Sequence, residues 1–218
     1  LIVSFDVSDG DFVHNNSCIG KMQGSVHSIL KIERLLLNCL QRMSGIATKT
    51  NQYVKLINNE KAKILDTRKT TPNFRLFEKW AVYIGGGVNH RFGLYDQILI
   101  KDNHIESNKN ITNTLDRLQK KYKSIRKKYN IVVEVKNKTE FLIASKYVFV
   151  DRILLDNMKP FLIREIVKAN KGKKILEVSG GINKSNILAY ARTGVDFISI
   201  GALTHHIDSI DISLNIVK

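Results

Sequence analysis

Six short apolar runs recur along this chain, and each stops at a charged, polar or glycine residue. Ile64-Leu65 stops at Asp66-Thr67-Arg68-Lys69-Thr70-Thr71-Pro72, and Ile98-Leu99-Ile100 at Lys101-Asp102-Asn103-His104. Ile131-Val132-Val133 stops at Glu134, Ile153-Leu154-Leu155 at Asp156-Asn157, Ile175-Leu176-Glu177-Val178 at Ser179-Gly180-Gly181, and Phe197-Ile198-Ser199-Ile200 at Gly201. Runs this short and this apolar read as buried strands. Helical patterns fill the intervals, at residues 74–83, 112–129, 139–146, 161–169 and 184–193. Regular alternation of strand and helix dictates an α/β fold with a parallel sheet. Because charged ends come from many different strands, a β/α barrel is expected over an open sheet with one crevice.

The two ends of the chain read differently. Residues 2–7 alternate apolar and polar before Ser8-Asp9-Gly10-Asp11, as in a half-buried strand of an antiparallel sheet. Residues 29–47 are helical, with Ile32, Leu35, Leu36, Cys39, Leu40 and Met43 on one stripe. Glu33, Arg34, Gln41 and Arg42 lie away from its centre, so Arg34 taken alone is a solvated helix residue, and Ser44-Gly45 interrupts the pattern late. Residues 207–217 alternate again and are expected to pair as a strand with the amino-terminal sheet. Within residues 112–129, Leu115, Leu118, Tyr122 and Ile125 form an apolar face opposite a very basic one, which reads as solvated surface because few aromatics accompany its cations.

At 218 residues and 43% hydrophobic, the chain suffices for one large domain, or one with a smaller appendage. Thirty-five Lys and Arg against 20 Asp and Glu leave a net charge of +15, which favours polyanionic partners: nucleic acid, an anionic membrane, or small phosphorylated and carboxylated substrates. Compositional drift toward Lys, Asn and Ile accounts for the same excess without any partner. Cys18 and Cys39 make neither a disulfide framework nor a zinc site, as in a reducing, cytoplasmic setting. No run approaches the roughly 18 apolar residues of a membrane span. The chain opens at Leu1 inside a strand-like run, so a preceding part is expected.

If the six runs share one barrel, their carboxyl ends meet at one mouth. That mouth gathers Arg68, Lys69 and Lys101 as cations, with His90-Arg91 on the loop after Gly85-Gly86-Gly87. Glu134 and Asp156 stand opposite, followed by the glycine turns at Ser179-Gly180-Gly181 and Gly201. Clustered Arg and Lys bind carboxylates and phosphates, and glycine turns let backbone N–H groups approach a phosphate. Two carboxylates among so many cations suit a Mg²⁺–pyrophosphate complex, or a sugar carbon that becomes positive during reaction.

The blocks Glu33-Arg34 with Leu37-Asn38 and Ser44-Gly45-Ile46-Ala47, then LDTRKTTP, GGGVNHRFGLYD, IKDNH, LLDNM, EVSGGI and TGVDFISIGALTH, run in order along the chain. They closely resemble quinolinate phosphoribosyltransferase, also called nicotinate-nucleotide pyrophosphorylase (carboxylating). The resemblance implies an incomplete, seven-stranded β/α barrel beside an α/β sandwich domain, here truncated, working as a homodimer. On that division residues 1–37 and 206–218 are the sandwich remnant and 38–205 the barrel. The implied reaction joins quinolinate to phosphoribosyl pyrophosphate with Mg²⁺, giving nicotinate mononucleotide, pyrophosphate and CO₂. Residue by residue, the resemblance assigns Arg68, His90, Arg91 and Lys101 to quinolinate, with Arg34 reaching in from the partner subunit. It assigns Lys69, Glu134, Asp156, Ser179, Gly180, Gly201 and His205 to the phosphoribosyl pyrophosphate, Glu134 and Asp156 also holding the metal, directly or through water. Lys101, Glu134 and Asp156 are then the candidate catalytic residues, and neither nucleic acid nor a membrane is an expected partner.

The sequence departs from the pattern in three places. Val132-Val133-Glu134 stands where the family has Glu-Val-Glu, Lys136 and Lys138 follow where acidic or neutral residues are usual, and Asn73 replaces a glycine. Nicotinate is the alternative substrate. The alternative of another class is an inactive, shortened relative serving as a binding or subunit scaffold, its basic surface associating with RNA.

Overall fold

The structure is a computed structural model describing residues 1–125 and 129–217, without the side chains of 122–125. Two short strands open the chain, β1 (Ile2–Phe5) and β2 (Gly20–Gln23), paired antiparallel. A long helix, α1 (Val26–Leu56), leads to β3 (Lys63–Leu65), α2 (Arg75–Ile84) and β4 (Gln97–Ile100). Then come α3 (Asp102–Ser107), α4 (Ile111–Ile125), β5 (Asn130–Val135), α5 (Lys138–Ala144) and β6 (Arg152–Asp156). The chain ends through α6 (Pro160–Asn170), β7 (Ile175–Ser179), α7 (Ile187–Ala191), β8 (Phe197–Ser199) and α8 (Ala202–His205).

All six predicted strands form, and they make one parallel sheet in the order β3-β8-β7-β6-β5-β4. A lone parallel bridge, Leu65 to Val88, continues past β3. Strand alternation divides the sheet into two faces. Ile131, Val133 and Val135 of β5, Ile153 and Leu155 of β6, Leu176 and Val178 of β7, and Ile198 of β8 face the helices and join Phe141, Ile163, Ile166 and Ile187 in the main core. The alternate positions bear the chemistry. Glu134, Leu154, Glu177 and Phe197 are in register across four strands, and one pair of residues further along Asp156, Ser179 and Ser199 are in register beside Leu65. The opposite face of this sheet is therefore polar toward the strands' carboxyl ends.

Three expectations need correction. Strand β1 is exposed along its whole length, not half-buried, since only β2 covers it among the described residues. Residues 207–217 form no strand: they run along α1, where the Ile210 N–H donates to the Gln41 carbonyl at 3.1 Å and the Gln41 side-chain amide donates to the Ile212 carbonyl at 2.8 Å. Of the alternating residues, Ile212 and Leu214 are half-buried while Ile210 and Ile216 are exposed. Helix α1 does not end near Ser44-Gly45 but runs on to Leu56. A Cβ on Gly45 would lie 2.3 Å from the Asp208 carbonyl oxygen, so this glycine admits the tail and breaks nothing. The predicted contacts of Tyr122 and Ile125, and the cations at 126–128, lie outside the described residues.

A Gly-to-Ala change inside a helix ordinarily stabilises by about 0.5–1 kcal/mol. Gly45→Ala reverses that sign, because the new methyl displaces backbone at residue 208: chemical unfolding reports a loss of about 1–3 kcal/mol, and hydrogen exchange at the Ile210 amide accelerates.

Candidate active site

The first cationic group is built on a buried ion pair. At the end of β3, Asp66 is fully buried and its Oδ1 accepts from Lys79 Nζ of α2 at 2.6 Å, Lys79 itself being 3% exposed. The same Oδ1 accepts the His90 backbone N–H at 2.7 Å, while Lys79 Nζ also donates to the His90 carbonyl at 3.0 Å. In the orientation that satisfies both ends of its amide, Asn89 donates to Asp66 Oδ2 and to the Lys79 carbonyl, at 2.8 and 2.9 Å. Burial pushes the Asp66 carboxyl up and the Lys79 ammonium down, and each opposes the shift in the other. Desolvation outweighs attraction in both groups, so the pair's contribution is placement of the loop more than net stability.

That loop carries Arg91, whose guanidinium donates to the Gln97 carbonyl at 3.2 Å. Burial, together with the neighbouring Arg68, pulls the Arg91 group below its ordinary value, against the opposing Asp96. Two guanidinium groups are thus held close enough to repel. Arg68 Nε is buried with no hydrogen-bond partner, a donor whose cost a ligand oxygen would relieve. Two like charges and an orphan donor at one place define a receptor for an anion.

The preceding segment is clamped from α1. Arg42, predicted to lie away from the buried stripe, donates to the fully buried Glu78 through Nε at 2.9 Å and Nη2 at 2.6 Å. Its Nη2 also donates to Thr71 Oγ1 at 2.8 Å and to the Thr204 carbonyl at 3.2 Å, and the Thr71 N–H returns to Glu78 Oε2 at 3.1 Å. The Thr204 hydroxyl donates to the Lys69 carbonyl at 2.7 Å. These bonds tie α1, α2, the 66–72 loop and α8 around Lys69. A Cβ on Gly201 would meet His205 Nε2 at 3.0 Å and Lys69 Cδ at 3.1 Å, so Lys69, Gly201 and His205 converge there.

The carboxylates stand across the mouth. Glu134 lies within β5, one residue before the end of the strand, with Oε2 3.9 Å from Lys101 Nζ. Burial pushes its carboxyl above the ordinary value; Lys101 opposes this, and Asp156 and Asp102 add to it. Lys136 lies 3.5 Å from Asp102, so this departure from the family pattern braces α3, the helix that follows Lys101. Asp156, last in β6, accepts from the Asn157 amide at 2.9 Å and is the register partner of Ser179. Gly180 has φ +98°, and a Cβ there would fall 2.1 Å from Asn157 Oδ1. Glycine alone lets the β7 turn pass so close to the β6 end.

Among the described residues no group of three or more His, Cys, Asp or Glu side chains could hold a metal ion. Two hard carboxylate oxygen donors at adjacent strand ends do fit Mg²⁺ arriving on a phosphorylated substrate, since that ion keeps waters and takes only one or two protein carboxylates.

Of the residues expected from sequence, Arg68, His90 and Arg91 come together, as do Lys101, Glu134 and Asp156, and Lys69 with Gly201 and His205. Arg34 stands apart, exposed on α1 with no hydrogen bond or ion pair among the described residues. Sequence reasoning missed Asp66, Lys79, Arg42 and Glu78, and also Glu177 with Arg152 and Ser199. Glu177 alone left a visible trace: a carboxylate inside the apolar run Ile175–Val178 must find buried partners.

Cations and carboxylates gathered at the strand ends of a β/α sheet, with glycine turns beside them, make a site suited to anionic substrates. Residues 46–215 match the C-terminal domain of quinolinate phosphoribosyl transferase and residues 1–44 its N-terminal domain. The chain belongs to that family. It is 42% identical over 208 residues to the probable nicotinate-nucleotide pyrophosphorylase (carboxylating) of Bacillus subtilis, covering 95% of this chain and 71% of the relative. Against quinolinate phosphoribosyltransferase (decarboxylating) 1 of Nicotiana glauca it is 39% identical over 230 residues, covering 99% of this chain and 65% of the relative. The solved nicotinate-nucleotide pyrophosphorylase of Francisella tularensis superposes with a TM-score of 0.89 at 45% identity, covering 97% of this chain and 74% of that one.

Removing one member of a buried pair strands the other. Lys79→Met lowers stability by about 3–5 kcal/mol, and adding Asp66→Asn restores part of it, as denaturant titration will show. In a carboxyl-carbon NMR titration, Glu134 has its midpoint above the ordinary glutamate value of about 4.3. Lys101→Met takes away the opposing charge and moves that midpoint higher.

Proposed function

We propose that this chain transfers the phosphoribosyl group of phosphoribosyl pyrophosphate to quinolinate with loss of CO₂, giving nicotinate mononucleotide and pyrophosphate, a step of NAD biosynthesis. The observation that carries the reading is the buried, unpartnered Arg68 Nε, two residues beyond the Asp66 carboxylate to which the loop bearing Arg91 is bonded. A planar dicarboxylate supplies several acceptor oxygens to fixed cations at once, which favours quinolinate over the monocarboxylate nicotinate. The same field stabilises the negative charge left on the ring when CO₂ departs. Across the mouth, Glu134 and Asp156 face the sugar, where their charge favours a carbon that turns positive as the pyrophosphate leaves. Lys69 and His205 take the phosphate end with the N–H groups of the Ser179-Gly180 turn and of Gly201, and Lys101 stands between the two halves. Mg²⁺, when bound by Glu134 and Asp156 directly or through water, neutralises pyrophosphate charge.

On this reading the bridge at Val88 stands for the seventh strand of the family's barrel, residues 38–205 form that barrel, and 1–37 with 206–218 belong to the sandwich domain. The working unit is a homodimer with Arg34 entering the partner's mouth. Its exposure and lack of partners suit that role, and so do the exposed Ile2, Phe5, Phe12, Leu30 and Leu35 of the same amino-terminal segment. The family match does not favour the scaffold alternative. Among the described residues no helix is long and apolar enough to cross a membrane.

Purified protein given quinolinate, phosphoribosyl pyrophosphate and Mg²⁺ forms nicotinate mononucleotide; no product from a chain with normal circular dichroism refutes the proposal. Arg68→Ala lowers kcat/KM for quinolinate by about a hundred-fold or more, and an unchanged profile removes Arg68 from its assigned place.

A further inference from the structure

One buried carboxylate lies outside the roles assigned so far. Glu177 is fully buried on β7, in the row beneath Ser179 and Asp156. It gathers three other segments. Arg152 of β6 donates to Oε2 at 3.0 Å, the Ser199 hydroxyl of β8 donates to Oε1, and His90 Nε2 stands 3.4 Å from Oε1. Arg152 is in turn packed over the Phe197 ring, 4.5 Å from its centroid. Burial alone pushes the Glu177 carboxyl up, yet His90, Ser199 and Arg152 together hold it below its usual value.

His90 has a close neighbour at each ring nitrogen. Its Nδ1 accepts the Arg91 backbone N–H at 2.7 Å, which leaves the ring proton on Nε2, the atom facing Glu177. Its side chain is only 7% exposed.

We propose that Glu177 is a positioning residue for the quinolinate half of the mouth, acting through His90 to fix the Arg91 backbone and hence the guanidinium beside Arg68. The inference rests on the quinolinate reading and deepens it. The sheet interior sets the aim of the cations: β6 and β8 hold Glu177, Glu177 holds His90, and His90 holds Arg91. The phosphoribosyl side, built on Lys69, Asp156 and the glycine turns, makes none of these bonds and stays in place when the chain of contacts is cut.

The test compares Glu177→Gln, Ser199→Ala, His90→Asn and the Glu177→Gln/His90→Asn double variant, with KM for each substrate, kcat and thermal unfolding recorded. Asparagine keeps an acceptor near Nδ1 and gives up the reach to Glu177. Glu177→Gln raises the quinolinate KM by about ten-fold, leaves the phosphoribosyl pyrophosphate KM within about two-fold, and the double variant is no worse than the worse single one. Ser199→Ala, which removes one hydroxyl, gives the same selectivity at smaller size and serves if Glu177→Gln does not fold. Equal shifts in both KM values, multiplying effects in the double variant, or a quinolinate KM unmoved in every folded variant overturn the proposal. Wild-type protein that turns over neither substrate overturns the quinolinate reading itself and this inference with it; an active wild type with unselective variants overturns the inference alone.

Discussion

The mouth depends on a charge pair that water does not reach. Asp66 and Lys79 join the end of β3 to α2, and through the His90 backbone they also anchor the return loop. Two ions brought out of water cost more than their attraction returns when the geometry is loose. Here Asp66 accepts from the Lys79 ammonium and from backbone, and Asn89 takes its second oxygen. Such a fully bonded carboxylate has few alternative arrangements of similar energy. The Arg68–Arg91 approach, unfavourable in isolation, persists because their supporting loops have nowhere else to go.

A second carboxylate, Glu78, does the corresponding work for the other side of the same loop. Arg42 reaches it from α1 and touches Thr71 and the Thr204 carbonyl on the way. Lys69 therefore presents its side chain from a backbone that three elements hold. The two clamps use adjacent residues of one helix, Glu78 and Lys79, with opposite charges. Together they bracket the 66–72 loop.

Much of this was legible in the residues themselves. Every apolar run became a strand, and the strand-end placement of Arg68, Lys101, Asp156 and Ser179-Gly180 followed from where each run stopped. What escaped was the layer underneath. Arg42, Glu78 and Lys79 are charged residues on helices, and a sequence pattern assigns such residues to solvent unless a partner is known. Their partners lie 36 and 13 residues away in the chain, beyond any local pattern. The tail misled for a related reason. Of the alternating residues in 207–217, Ile212 and Leu214 are half-buried while Ile210 and Ile216 stay exposed, and the bonds that hold the segment go to Gln41 of α1, which no periodicity identifies.

Helix α1 has a mechanical consequence. At 31 residues and about 1.5 Å per residue it is a rod of roughly 46 Å. The two matched segments of the family meet between residues 44 and 46, well inside that rod. The junction falls on continuous helix, where the tail lies against Gly45. The exposed outer turns around Arg34 and the inner turn bearing Arg42 belong to one helix. The guanidinium that grips Glu78 beneath the Lys69 loop thus sits on the same continuous helix as the exposed turns around Arg34.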